Sequence, residues 1–175
     1  MADAGGPWSI VRPASVYGPR DRQFLPLFRL AARGWFPLAT GREAAFTLIH
    51  VDDVSRALMM AAAHPGAVGQ AFFLGHPEPQ REVDLLPRIA DALGRRYRPM
   101  RIPRAALALV ARAGDVAWRL GREPLVDRWR LIELEAEGFV CAVDHAATTI
   151  GFQAKVPLSE GIAQTAKWYR DEGWI

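Results

Sequence analysis

Apolar residues along the chain alternate between short runs and longer stretches with helical spacing. The short runs predict strands at residues 8–12, 46–51, 70–74, 98–102 and 139–143. Apolar positions three or four residues apart predict helices at residues 23–33, 52–61, 83–93, 103–120, 125–135, 144–150 and 158–170. Residues 14–22 carry Gly18 and Pro19 and are predicted to be a loop. Strands and helices alternate through much of the chain, so the predicted fold class is α/β.

Several of these helices begin close to a polar residue that could cap them. Asp52 and Asp53 precede an apolar helical stripe, and a carboxylate at such a place accepts hydrogen bonds from the free N–H groups of the first turn. We therefore expect a cap here, in preference to a ligand or acid/base cluster with His50. Asp144 is predicted to cap the helix that stops at Gly151, and Ser159 or its neighbour is expected near the cap of the last helix. Gly34 follows the first helix as a C-terminal cap, and Gly94 lies at the end of the helix at 83–93.

Charge changes this picture little. The net charge is +3, from 22 basic and 19 acidic residues, which is small for nucleic-acid binding, and none is expected. Arginines outnumber lysines by 20 to two, a bias typical of a GC-rich, bacterial coding sequence. One cluster stands out, and its members are Arg95, Arg96, Arg98, Arg101 and Arg104. It could contact phosphate or an anionic surface, but we interpret it as a solvated helix end and loop.

Length and composition exclude several classes of protein. The 175 residues suffice for one domain with a core, and 50% of them are apolar, as in an ordinary globular protein. The single cysteine, Cys141, cannot form an intramolecular disulfide, so a reducing cytoplasm is expected. No apolar run has the roughly 18 residues that a membrane span needs, and the first residues do not form a signal peptide. The four histidines are far apart in the sequence, and no metal site is predicted.

Five sequence blocks in a fixed order resemble the extended short-chain dehydrogenases, the NAD-dependent epimerase/dehydratase superfamily. The blocks are IVRPASVYGP at residues 10–19, LIHVDDV at 48–54, FFLG at 72–75, DHAATTIGF at 144–152, and LSEGI at 158–162 with Thr165, Trp168, Tyr169, Gly173 and Trp174. Together they cover nearly the whole chain. The helical stretch from residue 103 to 122 is similar to an insert of the branch that acts on sterols and 3-oxo acids.

The resemblance implies that this chain is the C-terminal half of such an enzyme. The fold expected is the C-terminal remainder of an NAD(P)-binding Rossmann-type fold, together with the small mixed α/β substrate-binding lobe. Within a single unit of residues 1–175, the Rossmann-derived elements are expected at 8–13 and 46–75, and the lobe at 14–45 and 76–175. The family's Gly-x-x-Gly-x-x-Gly turn and Tyr-x-x-x-Lys pair do not occur in this sequence. No catalytic residue is therefore assigned, and the chain alone is expected to be inactive and to bind neither NAD nor NADP tightly.

The resemblance also assigns binding residues. Those expected beside the nicotinamide, mainly through their backbone, are Pro13, Ala14, Ser15 and Val16. Those expected to line the substrate pocket are Phe24, Leu25, Phe28, Arg42, Phe46 and Thr47. Nucleotide-sugar epimerases commonly have an arginine, which clamps a phosphate, at the position of Phe46. An apolar ring cannot hold a diphosphate, so the expected substrate is a small apolar alcohol or ketone.

A second hypothesis stays open beside the first. The chain could be a non-catalytic module that binds a small molecule or associates with itself, because fold resemblance does not carry function by itself. Without the N-terminal half of the family's fold, residues 8–12 and 72–74 would form an apolar sheet edge, and such edges pair. A homo-oligomer is therefore expected.

Overall fold

The computed structural model describes residues 6–39, 45–121 and 139–175. Its strands are β1 (Ser9–Pro13), β2 (Ser15–Tyr17), β3 (Phe36–Ala39), β4 (Ala45–Phe46), β5 (Leu48–His50), β6 (Gln70–Leu74), β7 (Gln80–Arg81) and β8 (Pro99–Ile102). Its helices are α1 (Leu25–Ala32), α2 (Val51–Ala63), α3 (Glu82–Leu93), α4 (Arg104–Arg119), α5 (Asp144–Ile150) and α6 (Leu158–Asp171). The predicted helix at 125–135 lies outside the described residues. Every helix predicted within the described residues is confirmed to within two residues at each end.

The strands form four pairs. The pairs β1–β6, β2–β5 and β3–β8 are parallel, and β4–β7 is antiparallel. Parallel pairs need crossover connections, which the helices here supply. The α/β fold class predicted from the sequence is confirmed.

Two sequence predictions about strands are wrong. The predicted loop at 14–22 contains β2, whose three residues are too few to show an alternating pattern. The predicted strand at 139–143 is reduced to an isolated bridge between Phe139 and Phe46. Strands that pair over only two to four residues carry too little periodicity to be recognised, which also explains why β3 and β7 were not predicted.

Buried apolar side chains form two clusters. The first lies between α1, α3 and α6, and its largest members include Phe28, Phe36, Ile89, Ile162 and Tyr169. The second lies between α2, β6 and α5. It is composed of Ile49, Ala57, Ala61, Ala67, Phe72, Leu74, Ala146, Ile150 and Phe152. The predicted division into Rossmann-derived elements and a lobe stays a prediction. Helix α5 belongs to the predicted lobe, but its residues Ala146 and Ile150 pack in the second cluster against residues of the predicted Rossmann-derived elements.

The exposed edge that we expected at 72–74 is only partly present. Phe72 and Leu74 are fully buried under α5, whereas Phe73 points to solvent beneath the guanidinium of Arg12. Ile10 on β1 is also exposed. The alternation follows from the period of two in a strand, which buries one side of β6 and exposes the other.

The C-terminal residues fold back onto the start of α1. The hydroxyl of Tyr169 donates a hydrogen bond to the carbonyl oxygen of Asp21 over 2.8 Å, and Arg29 Nε donates to the carbonyl oxygen of Trp174 over 3.0 Å. The ring of Tyr169 also contacts Phe28 edge-on and stacks on Trp174. The first cluster is therefore closed by contacts between residues more than 140 positions apart.

Candidate functional site

The carboxyl ends of β1 and β6 meet at one edge of their pair. Pro13 and Leu74 are partners in the parallel register, so both strands leave the pair at the same level. The N–H of Ala14 donates to the carbonyl oxygen of Leu74 over 2.8 Å, and the N–H of Ser15 donates to the carbonyl oxygen of Thr47 over 3.3 Å. Ligands of open α/β sheets bind just outside the carboxyl ends of parallel strands. The structure thus brings the predicted cofactor residues Pro13–Val16 to an edge where a ligand can be expected.

Thr47 fixes the far side of this edge. It is buried, its N–H donates to the carbonyl oxygen of Phe139 over 2.8 Å, and its Oγ1 accepts from the N–H of Cys141 over 3.0 Å. Its methyl group occupies the space beside Gly75 that a Cβ would need. Protein atoms therefore surround Thr47 and bind its N–H and Oγ1. Glycine is required at position 75 because the chain after β6 passes so close to Thr47, which follows β4.

The other predicted substrate residues differ in accessibility. Leu25 and Phe28 are buried in the first cluster, while Phe24 and Phe46 are half-buried at its margin. Arg42 lies outside the described residues. That these side chains line a substrate pocket stays a prediction, and Phe24 and Phe46 are the two that a ligand could reach most directly.

His50 and Tyr17 form a buried aromatic pair behind the edge. They are register partners on β5 and β2, and their rings meet edge-on with centroids 5.3 Å apart. Gly161 passes so close to both rings that it could not carry a Cβ without a steric conflict, and a Cβ on Gly18 would lie 2.6 Å from Val51 Cγ1 and 3.2 Å from His50 Nε2. The Nε2 atom of His50 has no hydrogen-bond partner among the described residues.

The helix cap at this place is not the one predicted. His50 is the N-cap residue of α2, and its Nδ1 accepts from the N–H of Asp52 over 3.4 Å. Asp52 and Asp53 lie in the first turn, and a carboxylate there is favoured by the helix dipole without being a cap. The cap predicted at Asp144 is also wrong, since Asp144 is the first residue of α5 and that helix has no side-chain cap. Ser159, expected near the cap of α6, is the second residue of that helix, which has no side-chain cap either.

The protonation of this pair follows from its burial. Burial lowers the pKa of His50, although the carboxylates of Asp52, Asp53 and Glu160 act in the opposite direction. Burial also raises the pKa of Tyr17, with a smaller contribution from the charge of Asp53. Both rings are therefore neutral at pH 7, and their enclosure favours a packing role over the acid/base cluster considered from the sequence.

Asp53 connects α2 to the segment before α6. Its buried carboxylate accepts from the N–H groups of Lys155 and Val156 at 3.0–3.1 Å and forms an ion pair with Arg56. Burial alone would raise the pKa of Asp53, but the hydrogen bonds from Val156, Arg56 and Lys155 lower it overall. The sequence does not reveal this connection, because Lys155 and Val156 lie 102 and 103 residues after Asp53 and donate through their backbone N–H groups.

No group of three or more His, Cys, Asp or Glu side chains within the described ranges could hold a metal ion. A small recess does lie beside the aromatic pair, and its lining includes Tyr17, His50, Asp53, His76 and Gln80.

No helix in the described part of the chain is long and apolar enough to cross a membrane.

Comparison with known proteins identifies this architecture. The sequence model of the NAD dependent epimerase/dehydratase family matches residues 1–75. The chain is 28% identical over 177 residues to the protein YbjS of Escherichia coli, with 95% of this chain and 51% of the relative covered. It is 26% identical to the ceramide reductase of Caulobacter vibrioides, with 95% and 52% covered. These matches support a member of the NAD-dependent epimerase/dehydratase superfamily.

A solved structure shares the fold. The UDP-glucose 4-epimerase of Thermotoga maritima superposes with a TM-score of 0.67 at 22% identity, covering 98% of this chain and 48% of the epimerase. The expected Rossmann-type fold is thereby confirmed. The chain spans about half the length of the curated relatives that it matches.

Proposed function

We propose that this chain forms the substrate-binding, C-terminal portion of an NAD(P)-dependent oxidoreductase of the extended short-chain dehydrogenase type. The substrate that we propose is an apolar alcohol or ketone. The whole enzyme would act in the cytoplasm, where Cys141 stays reduced. The observation that carries the proposal is that residues 46 and 47, an aromatic ring and a buried threonine, are both uncharged.

The position expected to hold a phosphate-binding arginine is occupied by Phe46. Its ring is half-buried against the first cluster, and Thr47 beside it is buried and uncharged. A diphosphate at this place would lose its hydration without gaining a charged partner, which is costly. An apolar substrate loses nothing there, and the similarity to a ceramide reductase supports this substrate class.

The cofactor role of residues 13–16 is part of the same proposal. Their backbone lies at the carboxyl end of β1, and Pro13 and Ala14 face the end of β6. We propose that this stretch passes beside the nicotinamide, while the acid/base groups come from outside this chain. In this arrangement Phe24 and Phe46 contact the substrate, and Leu25, Phe28 and Thr47 support them from the core.

We expect apolar ketones to bind this chain better than nucleotide sugars do. Titrating the purified chain with a long-chain 3-oxo ester should change its tryptophan fluorescence in a saturable way, whereas UDP-glucose should leave it unchanged. Phe46→Arg should weaken binding of the ester about tenfold, because it places a charge against the apolar ligand. Phe73→Arg is the matched control, since Phe73 is exposed on β6. Tighter binding of UDP-glucose than of the ester would contradict the proposed substrate class.

We also expect the chain alone to lack tight cofactor binding. The sequence has no Gly-x-x-Gly-x-x-Gly turn to hold a pyrophosphate at a helix N-terminus. Calorimetric titration with NAD, NADH or NADPH should therefore show no binding in the micromolar range. A micromolar dissociation constant for any of them would mean that residues 13–16 and their surroundings suffice for the cofactor, and the proposed division of roles would be wrong.

A self-associating module remains the second candidate. It is favoured by the exposed side chains of Ile10 and Phe73 on the same pair of strands. The pair has only two strands among the described residues, so β1 and β6 each have an edge at which another strand could add.

A further inference from the structure

Helix α4 has apolar residues on two sides. Ala111 and Gly114 are buried, as expected for the face that packs inward. A second row is exposed and consists of Leu109, Ala113, Val116 and Leu120, which we call the outer stripe. Their spacing of four, three and four residues places them on one face of the helix. Leu109 and Leu120 are 69% and 72% exposed, values that are unusual for two leucines aligned on one helix.

Positive charge is concentrated around the same helix. Residues 94–121 contain seven arginines and one acidic residue, Asp115, whereas the rest of the chain contains 15 basic and 18 acidic residues. Arg95, Arg96, Arg98 and Arg101 are exposed in the segment that leads into α4, and Arg112 is exposed on the helix itself. The small net charge of the whole chain therefore hides a strongly basic segment in an otherwise acidic protein.

We propose that the outer stripe and these exposed arginines bind the surface of a membrane that contains anionic lipids. An amphipathic helix lies in such a surface with its apolar side chains among the acyl chains and its basic side chains at the headgroups. Clusters of four to eight basic residues beside such a helix are attracted by anionic headgroups. Met100, within the basic segment, is a further half-exposed apolar side chain.

Charge and chemistry favour a lipid surface over other occupants. A second copy docked by the same face would bring two strongly basic segments together, which repel each other. A nucleic acid would use the arginines but would leave the leucines and valine of the outer stripe in contact with water or phosphate. A membrane surface satisfies both features at once, and no crossing of the membrane is implied.

The proposal does not depend on the proposed enzymatic function. A membrane surface is where an apolar substrate would accumulate, so the two are compatible. The binding test below uses no substrate and no cofactor, and its failure would leave the proposed oxidoreductase function untouched.

Co-sedimentation of the purified chain with lipid vesicles tests the proposal. The chain should bind vesicles made of equal parts of phosphatidylcholine and phosphatidylglycerol, and bind much less to phosphatidylcholine alone. High salt should weaken the binding because part of the attraction is electrostatic. The double variant Leu109→Gln, Leu120→Gln should reduce the partition constant about tenfold or more, since two apolar anchors are lost. Glutamine is a good helix former, so the circular dichroism spectrum should not change.

The matched control is Leu58→Gln, Met59→Gln on α2, where both side chains are exposed but lie outside the basic segment. This variant should bind vesicles as the unmodified chain does. Equal loss in both variants, or no vesicle binding by the unmodified chain, would overturn the proposal. So would salt-sensitive binding of RNA without any binding of vesicles, or a dimer in light scattering that only the α4 variant dissociates.

Discussion

Replacing Asp53 by asparagine is expected to lower the free energy of unfolding by about 3 kcal/mol, because a buried charge is removed from its partners. The carboxylate accepts hydrogen bonds from the N–H groups of Lys155 and Val156 and pairs with Arg56. An asparagine has one acceptor oxygen, and its amide group would place a donor against these donors. Urea denaturation followed by circular dichroism measures the difference. The segment at 153–157 should also become more accessible to proteases, since it is held to α2 here.

Asp52→Asn is the control for this prediction. It removes the same charge one residue earlier, but that side chain is 72% exposed, so the cost should stay below about 1 kcal/mol. The pH dependence gives a second check. The pKa of Asp53 is lowered in the folded state, so its stabilisation is fully present above the pKa of the unfolded chain and is lost as the pH falls through the folded value. The difference between wild type and variant should shrink in acid, and a difference that grows would contradict the assignment.

Gly161→Ala is expected to destabilise the fold by about 2 kcal/mol, because the added methyl group has no space. Its Cβ would lie 2.5 Å from Tyr17 Oη and 2.9 Å from His50 Cδ2, and both rings are buried. The sign of this change in the free energy of unfolding is informative, because alanine in a helix interior normally stabilises a protein by about 1 kcal/mol relative to glycine. Thermal and urea denaturation would both report the loss.

Two further variants separate packing from helix propensity. Ala163→Gly, on the exposed side of α6, should cost only the intrinsic difference of about 1 kcal/mol. Tyr17→Phe removes the oxygen atom that would lie nearest to the new Cβ, so Gly161→Ala should cost less in that background. A stabilised Gly161→Ala protein would show that α6 can move away from the two rings, contrary to the packing described here.

Much of the helical structure could be predicted from the sequence because each long helix has a regular apolar face. The C-terminal glycine caps at Gly94 and Gly151 were also predictable, and both residues adopt the left-handed conformation that favours glycine. The N-terminal caps of the helices were harder to predict from the sequence. A carboxylate near a helix start is compatible with a cap, with a favourable first turn or with a distant partner, and Asp53 has the third of these roles.

The candidate site could be predicted only in part. The block at residues 10–19 indicated where a ligand edge would lie, and the carboxyl ends of β1 and β6 do meet there. The full burial of Thr47 could not be foreseen, because its partners Phe139 and Cys141 are more than 90 residues away in the sequence. The basic segment was visible from the sequence, but the outer stripe was not, since only the structure shows which face of α4 is left in solvent.

The contacts between the C-terminal residues and α1 also determine when this protein can fold during its synthesis. Asp21 and Arg29 leave the ribosome well before their partners Tyr169 and Trp174, which are 148 and 145 residues further along the chain. Contacts of such high sequence separation form slowly and only once both partners are available. Phe28 therefore stays without its aromatic partner Tyr169 while the residues between them are synthesised. A nascent chain stalled before residue 169 should consequently expose apolar surface and be a target for chaperones.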